Sequence, residues 1–201
     1  MTLIMRKYIH IFISLILLTA CASNEVLNKL PIKAEAEIDI SGRWVFVGDF
    51  QSNQKKIDKA IDQSSGIIYR RIKTTGVFTE TQTASPKKNA WGVSHLFFKN
   101  AKILRITQTD YALYIDFNRS IVEEYNFGEL KKITIGNVNA SRSSGWNGTQ
   151  YQIDTLDNHG MKITEKYTIS DDMNILTRSI VFRDKSLHGT KIIQNFKRES
   201  L

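Results

Sequence analysis

The stretch from Gln150 to Phe182 reads QYQIDTLDNHGMKITEKYTISDDMNILTRSIVF. Three β-rich runs, Gln150–Leu156, Lys162–Ser170 and Ile175–Phe182, are separated by Asn158-His159-Gly160 and by Asp171 to Asn174. The first connection suits a three-residue hairpin loop with Gly in the left-handed position. Its register pairs Tyr151 with Tyr167, Ile153 with Glu165 and Thr155 with Ile163. A four-residue second loop pairs Ile169 with Leu176, Tyr167 with Arg178 and Glu165 with Ile180. Directly opposed residues share a face. One face then carries Tyr151, Ile153, Thr155, Ile163, Glu165, Tyr167, Ile169, Leu176, Arg178, Ile180 and Phe182, and the other carries Lys162, Thr164, Lys166 and Thr168. The first face is the buried one, and Glu165 and Arg178 lie diagonally across it. A buried charge must be paired. Two readings follow. Glu165 and Arg178 form a structural pair in a filled core, or Tyr151, Glu165, Tyr167 and Arg178 are the polar groups of a pocket for an amphipathic molecule.

The same pattern extends outward. From Lys102 on, β-rich runs recur at intervals close to ten residues: Ile103–Thr107, Ala112–Phe117, Ile121–Phe127, Ile133–Val138, then the three above, then Lys191–Phe196. Turn signals separate them, among them Asn118-Arg119, Phe127-Gly128, Asn137, Gly145-Trp146-Asn147-Gly148 and His188-Gly189. Even spacing with short polar turns marks an antiparallel meander, closed or nearly closed. No long helical pattern interrupts it, which argues against parallel βαβ units. Upstream, Trp44-Val45-Phe46-Val47 is apolar on both parities, as in a strand covered on both faces. Gln54–Gln63 places Ile57, Ala60 and Ile61 on one helical face. Ile67-Ile68-Tyr69 and Val77-Phe78 read as strands, Thr79 to Ala90 as an exposed loop, and Trp91 and Leu96-Phe97-Phe98 as a return to the core. The expectation is an all-β, antiparallel up-and-down meander or barrel of about 8–10 strands with one short helix.

The N-terminal region sets where such a domain works. Arg6-Lys7 precedes an apolar run from Tyr8 to Leu18, and Leu18-Thr19-Ala20 precedes Cys21, the single cysteine of the chain. A basic start, an apolar run and small residues make a secretory signal. The 13 residues from Tyr8 to Ala20 include His10 and Ser14, and a membrane-spanning helix needs about 20. Leu18 to Cys21 resembles the lipobox of bacterial lipoproteins. That resemblance implies cleavage before Cys21, lipid on its sulfur and its amine, and, with no Asp just after the cysteine, delivery to the bacterial outer membrane, facing the periplasm. Residues 1–20 are then the signal, 21–36 a lipidated tether, and 37–201 one domain. Ile32, Ala34, Ala36, Ile38 and Ile40 alternate with polar residues as a strand would, while the Ala/Glu content favours helix.

Removing residues 1–20 takes Arg6 and Lys7 and no acid, so the formal charge falls from +8 to +6 over 181 residues. The apolar content of 41% suits a folded chain. With Cys21 lipidated, no thiol remains for a disulfide, a thiolate metal site or a nucleophile. The basic pairs Lys55-Lys56, Arg70-Arg71, Lys87-Lys88 and Lys131-Lys132 are dispersed. In an envelope compartment they read as solvated faces rather than a nucleic-acid surface, with contact to anionic headgroups or cell-wall polymers as the other reading.

Gly42-Arg43-Trp44 resembles the first-strand signature of lipocalins, and Thr109-Asp110-Tyr111 resembles that family's second motif. The resemblance implies an arginine near the chain end that packs on Trp44, and Arg183 or Arg198 could play it. The order of strands around Thr109 differs from that family, so the likeness is one of barrel architecture. The stretch from Trp146 to Ser170 also resembles uncharacterised bacterial lipocalin-like proteins. No zincin motif, phosphate-cradling glycine loop or nucleophile elbow is present. His10, His95, His159 and His188 are scattered, and Glu123-Glu124 and Asp171-Asp172 make no acid/base pair. No catalytic, metal or cofactor residue is assigned. Three functions stay open: a non-enzymatic lipoprotein binding a small, partly apolar ligand, an envelope assembly module acting through its outer surface, and a hydrolase.

Overall fold

Alternation of inward apolar and outward polar side chains becomes, in the computed structural model, a ten-stranded antiparallel sheet curled on itself. The structure describes residues 25–65, 68–74, 77–83, 96–136, 138–183 and 189–199. In chain order they form β1 (Gly42–Phe46), α1 (Phe50–Ser65), β2 (Ile68–Thr74), β3 (Val77–Thr83), β4 (Ile103–Gln108), β5 (Ala112–Phe117), β6 (Ile121–Asn126), β7 (Glu129–Ile135), β8 (Val138–Asn147), β9 (Gln150–Asp157), β10 (Lys162–Ile169), β11 (Ile175–Arg183) and β12 (Gly189–Arg198). The large sheet runs β6-β5-β4-β1-β12-β11-β10-β9-β8-β7, and β2 pairs with β3 in a separate hairpin. Its two edge strands, β6 and β7, follow one another through the Phe127-Gly128 turn, so the sheet returns to its start. No ladder joins these edges among the described residues. Instead Ser144 Oγ donates to Asn126 O (2.8 Å), Gly128 N to Ser144 O (2.8 Å) and Tyr151 Oη to Tyr125 O (3.1 Å). The result is a nearly closed up-and-down barrel with a seam between β6 and β7.

The hairpin registers are those the turn lengths require: Tyr151–Tyr167, Ile153–Glu165, Tyr167–Arg178 and Glu165–Ile180 are paired. Two apolar clusters line the inside of the barrel. One, around Trp44, Leu104, Ile115, Trp146, Tyr151, Tyr167 and Phe196, occupies the end where β1 begins. The other lies at the opposite end, where Ile57, Ala60 and Ile61 of α1 cover Ile163, Ile180, Phe182 and Ile192. The helix spans 16 residues and starts earlier than its apolar face suggested. Asp49 is the reason, since its side chain accepts the Gln51 and Ser52 amides (3.0 and 3.3 Å) as an N-cap.

Several expectations are corrected. The run Ile133–Val138 is not one strand, because it holds the end of β7 and the first residue of β8. Gly145 and Trp146 belong to β8 rather than to a turn, and the chain reverses only between Asn147 and Gln150. Thr79 to Thr83 continue β3, and the rest of the expected loop and Trp91 lie outside the described residues. Val47, expected to be covered, is 52% exposed.

Residues 25–36, assigned above to a tether, form neither strand nor helix and lie against the barrel as a strap. Ser143 Oγ donates to Asn28 O (2.7 Å), Trp146 N to Pro31 O (2.9 Å) and Glu35 N to Gly148 O (3.1 Å). Glu25 pairs with Lys162 (3.2 Å) and with Arg183 at the other end of the strap. Burial acts to raise the Glu25 carboxyl, but Lys162 and Arg183 prevail and hold it below its ordinary range. The strap needs Gly145: a Cβ there would meet Pro31 O at 2.6 Å and Leu30 Cβ at 2.9 Å. Gly145→Ala should therefore lift the strap and cost about 1–3 kcal/mol, the usual range for overpacking. Hydrogen exchange at Trp146 and Glu35 amides reads this directly, and unchanged protection there would refute the strap's dependence on Gly145.

Candidate functional site

The β10 and β11 registers bring two ionised side chains together inside the barrel. Glu165 is 5% exposed and Arg178 is fully buried. Arg178 Nε and Nη2 donate to Glu165 Oε2 (2.9 and 2.5 Å), Nη2 also to Lys99 O (2.8 Å), and Nη1 to Gln194 Oε1 (3.3 Å). Tyr167 Oη donates to the same Glu165 oxygen (3.1 Å). Gln194 Nε2 in turn donates to Asn53 of α1 (2.7 Å) and to Asn100 (2.8 Å), so the network ties helix to barrel. The guanidinium lies 5.0 Å from the Phe98 ring centre, 5.4 Å from Phe117 and 5.6 Å from Tyr167, which suits a desolvated cation. Burial opposes the charge on Arg178, but Glu165 more than offsets it and its pKa is raised. Burial drives the Tyr167 hydroxyl well above its ordinary value, so it stays a donor.

Tyr151, grouped with these residues from the sequence, is paired with Tyr167 across β9 and β10, but its hydroxyl bonds outside the network. Its hydroxyl is bound to Tyr125 O and its ring packs edge-on with Phe127 (5.5 Å) and Trp146 (5.4 Å). Burial also raises its pKa. Cys21 lies outside the described residues.

A second buried guanidinium was missed. Arg142 of β8 is 6% exposed and faces inward beside the seam. Its Nη1 meets Glu123 Oε2 of β6 at 3.2 Å, its Nε reaches Thr155 Oγ1 at 3.3 Å, and it stacks 5.3 Å from the Tyr125 ring centre. Next to it on β7, Lys131 pairs with Glu129 at 2.7 Å. The signal existed in the sequence. A two-residue reversal after Asn147 puts Trp146, Ser144 and Arg142 opposite Tyr151, Ile153 and Thr155, hence inside. The two arginines differ in what they can do. Arg178 is bonded through all three nitrogens. Arg142 holds a carboxylate that is itself partly wet, since the Glu123 side chain is 25% exposed.

The arginine-over-tryptophan contact that the resemblance implied is present at the other end. Arg198 lies 4.3 Å over the Trp44 ring, donating to Ser41 O and Met173 O (both 2.7 Å), while Trp44 Nε1 donates to Ile40 O (3.0 Å). Arg183 instead pairs with Glu25. Among the described residues no group of three His, Cys, Asp or Glu side chains could hold a metal ion, and no helix is long and apolar enough to cross a membrane.

No protein-family model matches the chain, and no curated protein matches it. Solved structures similar in shape include two proteins of one organism. A secretory abundant heat soluble protein from Ramazzottius varieornatus is 8% identical, with a TM-score of 0.47, over 83% of this chain and 100% of that one. Secretory abundant heat soluble protein 4 from the same organism is 11% identical, with a TM-score of 0.45, over 88% of this chain and 100% of that one.

Proposed function

We propose that this chain is a lipid-anchored, non-enzymatic protein of the bacterial cell envelope whose barrel binds a small amphipathic anion. The observation that carries the reading is the Arg142–Glu123 pair at the seam. An apolar ligand tail would lie among the inward aromatic side chains. Its anionic head would take the place of Glu123 on Arg142, and Glu123 would turn to the water it already touches. Such an exchange keeps the buried guanidinium paired throughout, which a buried charge requires. Glu165 and Arg178 are fixed in an ion pair, Asp157 accepts the His159 and Met161 amides, and burial holds Tyr125, Tyr151 and Tyr167 protonated, unlike groups poised for proton transfer.

A dansyl-labelled long-chain carboxylic acid tests this by fluorescence titration. Arg142→Leu should weaken binding by about tenfold or more, the worth of one charge-assisted hydrogen bond. Glu123→Gln should tighten it, because the competing carboxylate is gone. Binding that ignores both changes would rule out the seam as the head-group site. The saturated Arg178 network favours a second reading, an assembly module with a filled core that acts through its outside. Failure of every amphipathic probe to bind would favour it.

The anchor has its own test. Cys21→Ala should leave the precursor uncleaved and abolish acyl labelling, and a free thiol on mature Cys21 would refute lipidation.

A further inference from the structure

One end of the barrel combines a fixed chain exit with a basic groove. The groove runs between α1 and the first half of β12, holds about 420 Å³ and is lined by three lysines, Lys56, Lys59 and Lys191, by the polar Asn53, Gln63 and Thr190, and by the apolar Ile192 and Ile193. It exists because β1 stops early: β12 is paired with β1 only around Trp44 to Phe46, and Val47 N donates the last bond, to Asn195 O. Beyond that point the helix, not a strand, lies beside β12. Thr190 Oγ1 donates to Gln63 Oε1 (3.3 Å) and closes one end. Lys56, Lys59 and Lys191 are exposed, and no salt bridge engages them among the described residues.

The strap starts at this same end. Glu25 is held by Lys162 at the start of β10 and by Arg183 at the end of β11, and Arg183 is paired with Gly189 at the start of β12. Only three residues lie between Cys21 and Glu25, and the four steps from one to the other span at most about 14 Å. A lipid on Cys21 therefore keeps the α1 end of the barrel within that reach of the bilayer, and the far end faces away.

We infer that the groove between α1 and β12 docks on the anionic phospholipid headgroups of the membrane that holds the anchor. This rests on the lipidation of Cys21 proposed above. The three lysines supply ammonium donors to headgroup phosphates, and the 14 Å leash removes most of the cost of bringing them there. Docking would orient the barrel with α1 toward the membrane and the Trp44–Arg198 end toward the aqueous phase.

The mature lipoprotein, reconstituted in vesicles, tests this by acylation of lysines read by mass spectrometry. Phosphatidylcholine vesicles are compared with vesicles that also contain phosphatidylglycerol. Labelling of Lys56, Lys59 and Lys191 should slow about fivefold on the anionic vesicles, the equivalent of one lysine's surface attraction. Lys33 and Lys197, at the far end, should label equally on both. Lys191→Glu should reduce the protection of Lys56 and Lys59. Equal labelling of the groove lysines on the two vesicles, with the protein still floating with both, overturns the docking and leaves the anchor standing. Failure to float with phosphatidylcholine vesicles overturns the anchor, and the docking with it. Equal protection by inorganic phosphate without vesicles would make the groove a site for free anions and overturn its assignment to a membrane.

Discussion

Glu165→Gln is expected to destabilise the protein by about 3–5 kcal/mol, the cost of removing one partner from a buried ion pair. The amide can accept only a weaker bond from Arg178, whose guanidinium has no exposed surface. Tyr167 Oη and two Arg178 nitrogens converge on one Glu165 oxygen, so three contacts weaken together. Replacing both partners, Glu165→Leu with Arg178→Met, should cost far less, because the desolvation of two charges is relieved along with their attraction. The pair of measurements, by urea unfolding, separates an unpaired charge from a simple loss of packing. A loss below about 1 kcal/mol for Glu165→Gln would mean that water reaches the pair.

Trp44→Ala is expected to cost about 3–5 kcal/mol, as large-to-small changes of buried aromatics do. Trp44 is fully buried, and its loss also leaves Ile40 O without its donor and Arg198 without the ring it covers. Arg198→Ala should cost less than Trp44→Ala but clearly more than Arg183→Ala. Arg198 bonds two backbone carbonyls from different ends of the chain, whereas Arg183 makes a partly exposed ion pair with Glu25. Thermal unfolding of the three variants ranks them. Equal losses for the two arginines would contradict the bracing role of Arg198.

Much of the barrel was legible because a strand repeats every two residues and a short loop permits one register. Glu165, Tyr167 and Arg178 could be placed together on that basis alone. The helix start was legible too, in Asp49, but the apolar face drew attention from the cap. β8 was not legible, and the reason is physical. Its outward residues Ser143 and Gly145 are covered by the strap, so both faces are buried, and apart from Trp146 both are small or polar, so hydropathy does not alternate. Arg142 was lost with it.

The chain by itself determined the local quantities: strand period, loop length, the pairing of β9, β10 and β11, and so the shared face of Glu165 and Arg178. Tertiary structure alone decided which of two arginines lies on Trp44, because that depends on β12 pairing with β1 across nearly the whole chain. It also decided that residues 25–36 are a strap and not a strand. Their alternation is real, but they meet the barrel through scattered groups, Ser143 Oγ, Trp146 N and Gly148 O, rather than along a strand edge that could form a ladder. Neither outcome is written in any window of neighbouring residues, since each depends on which surfaces remain unpaired once the barrel has closed.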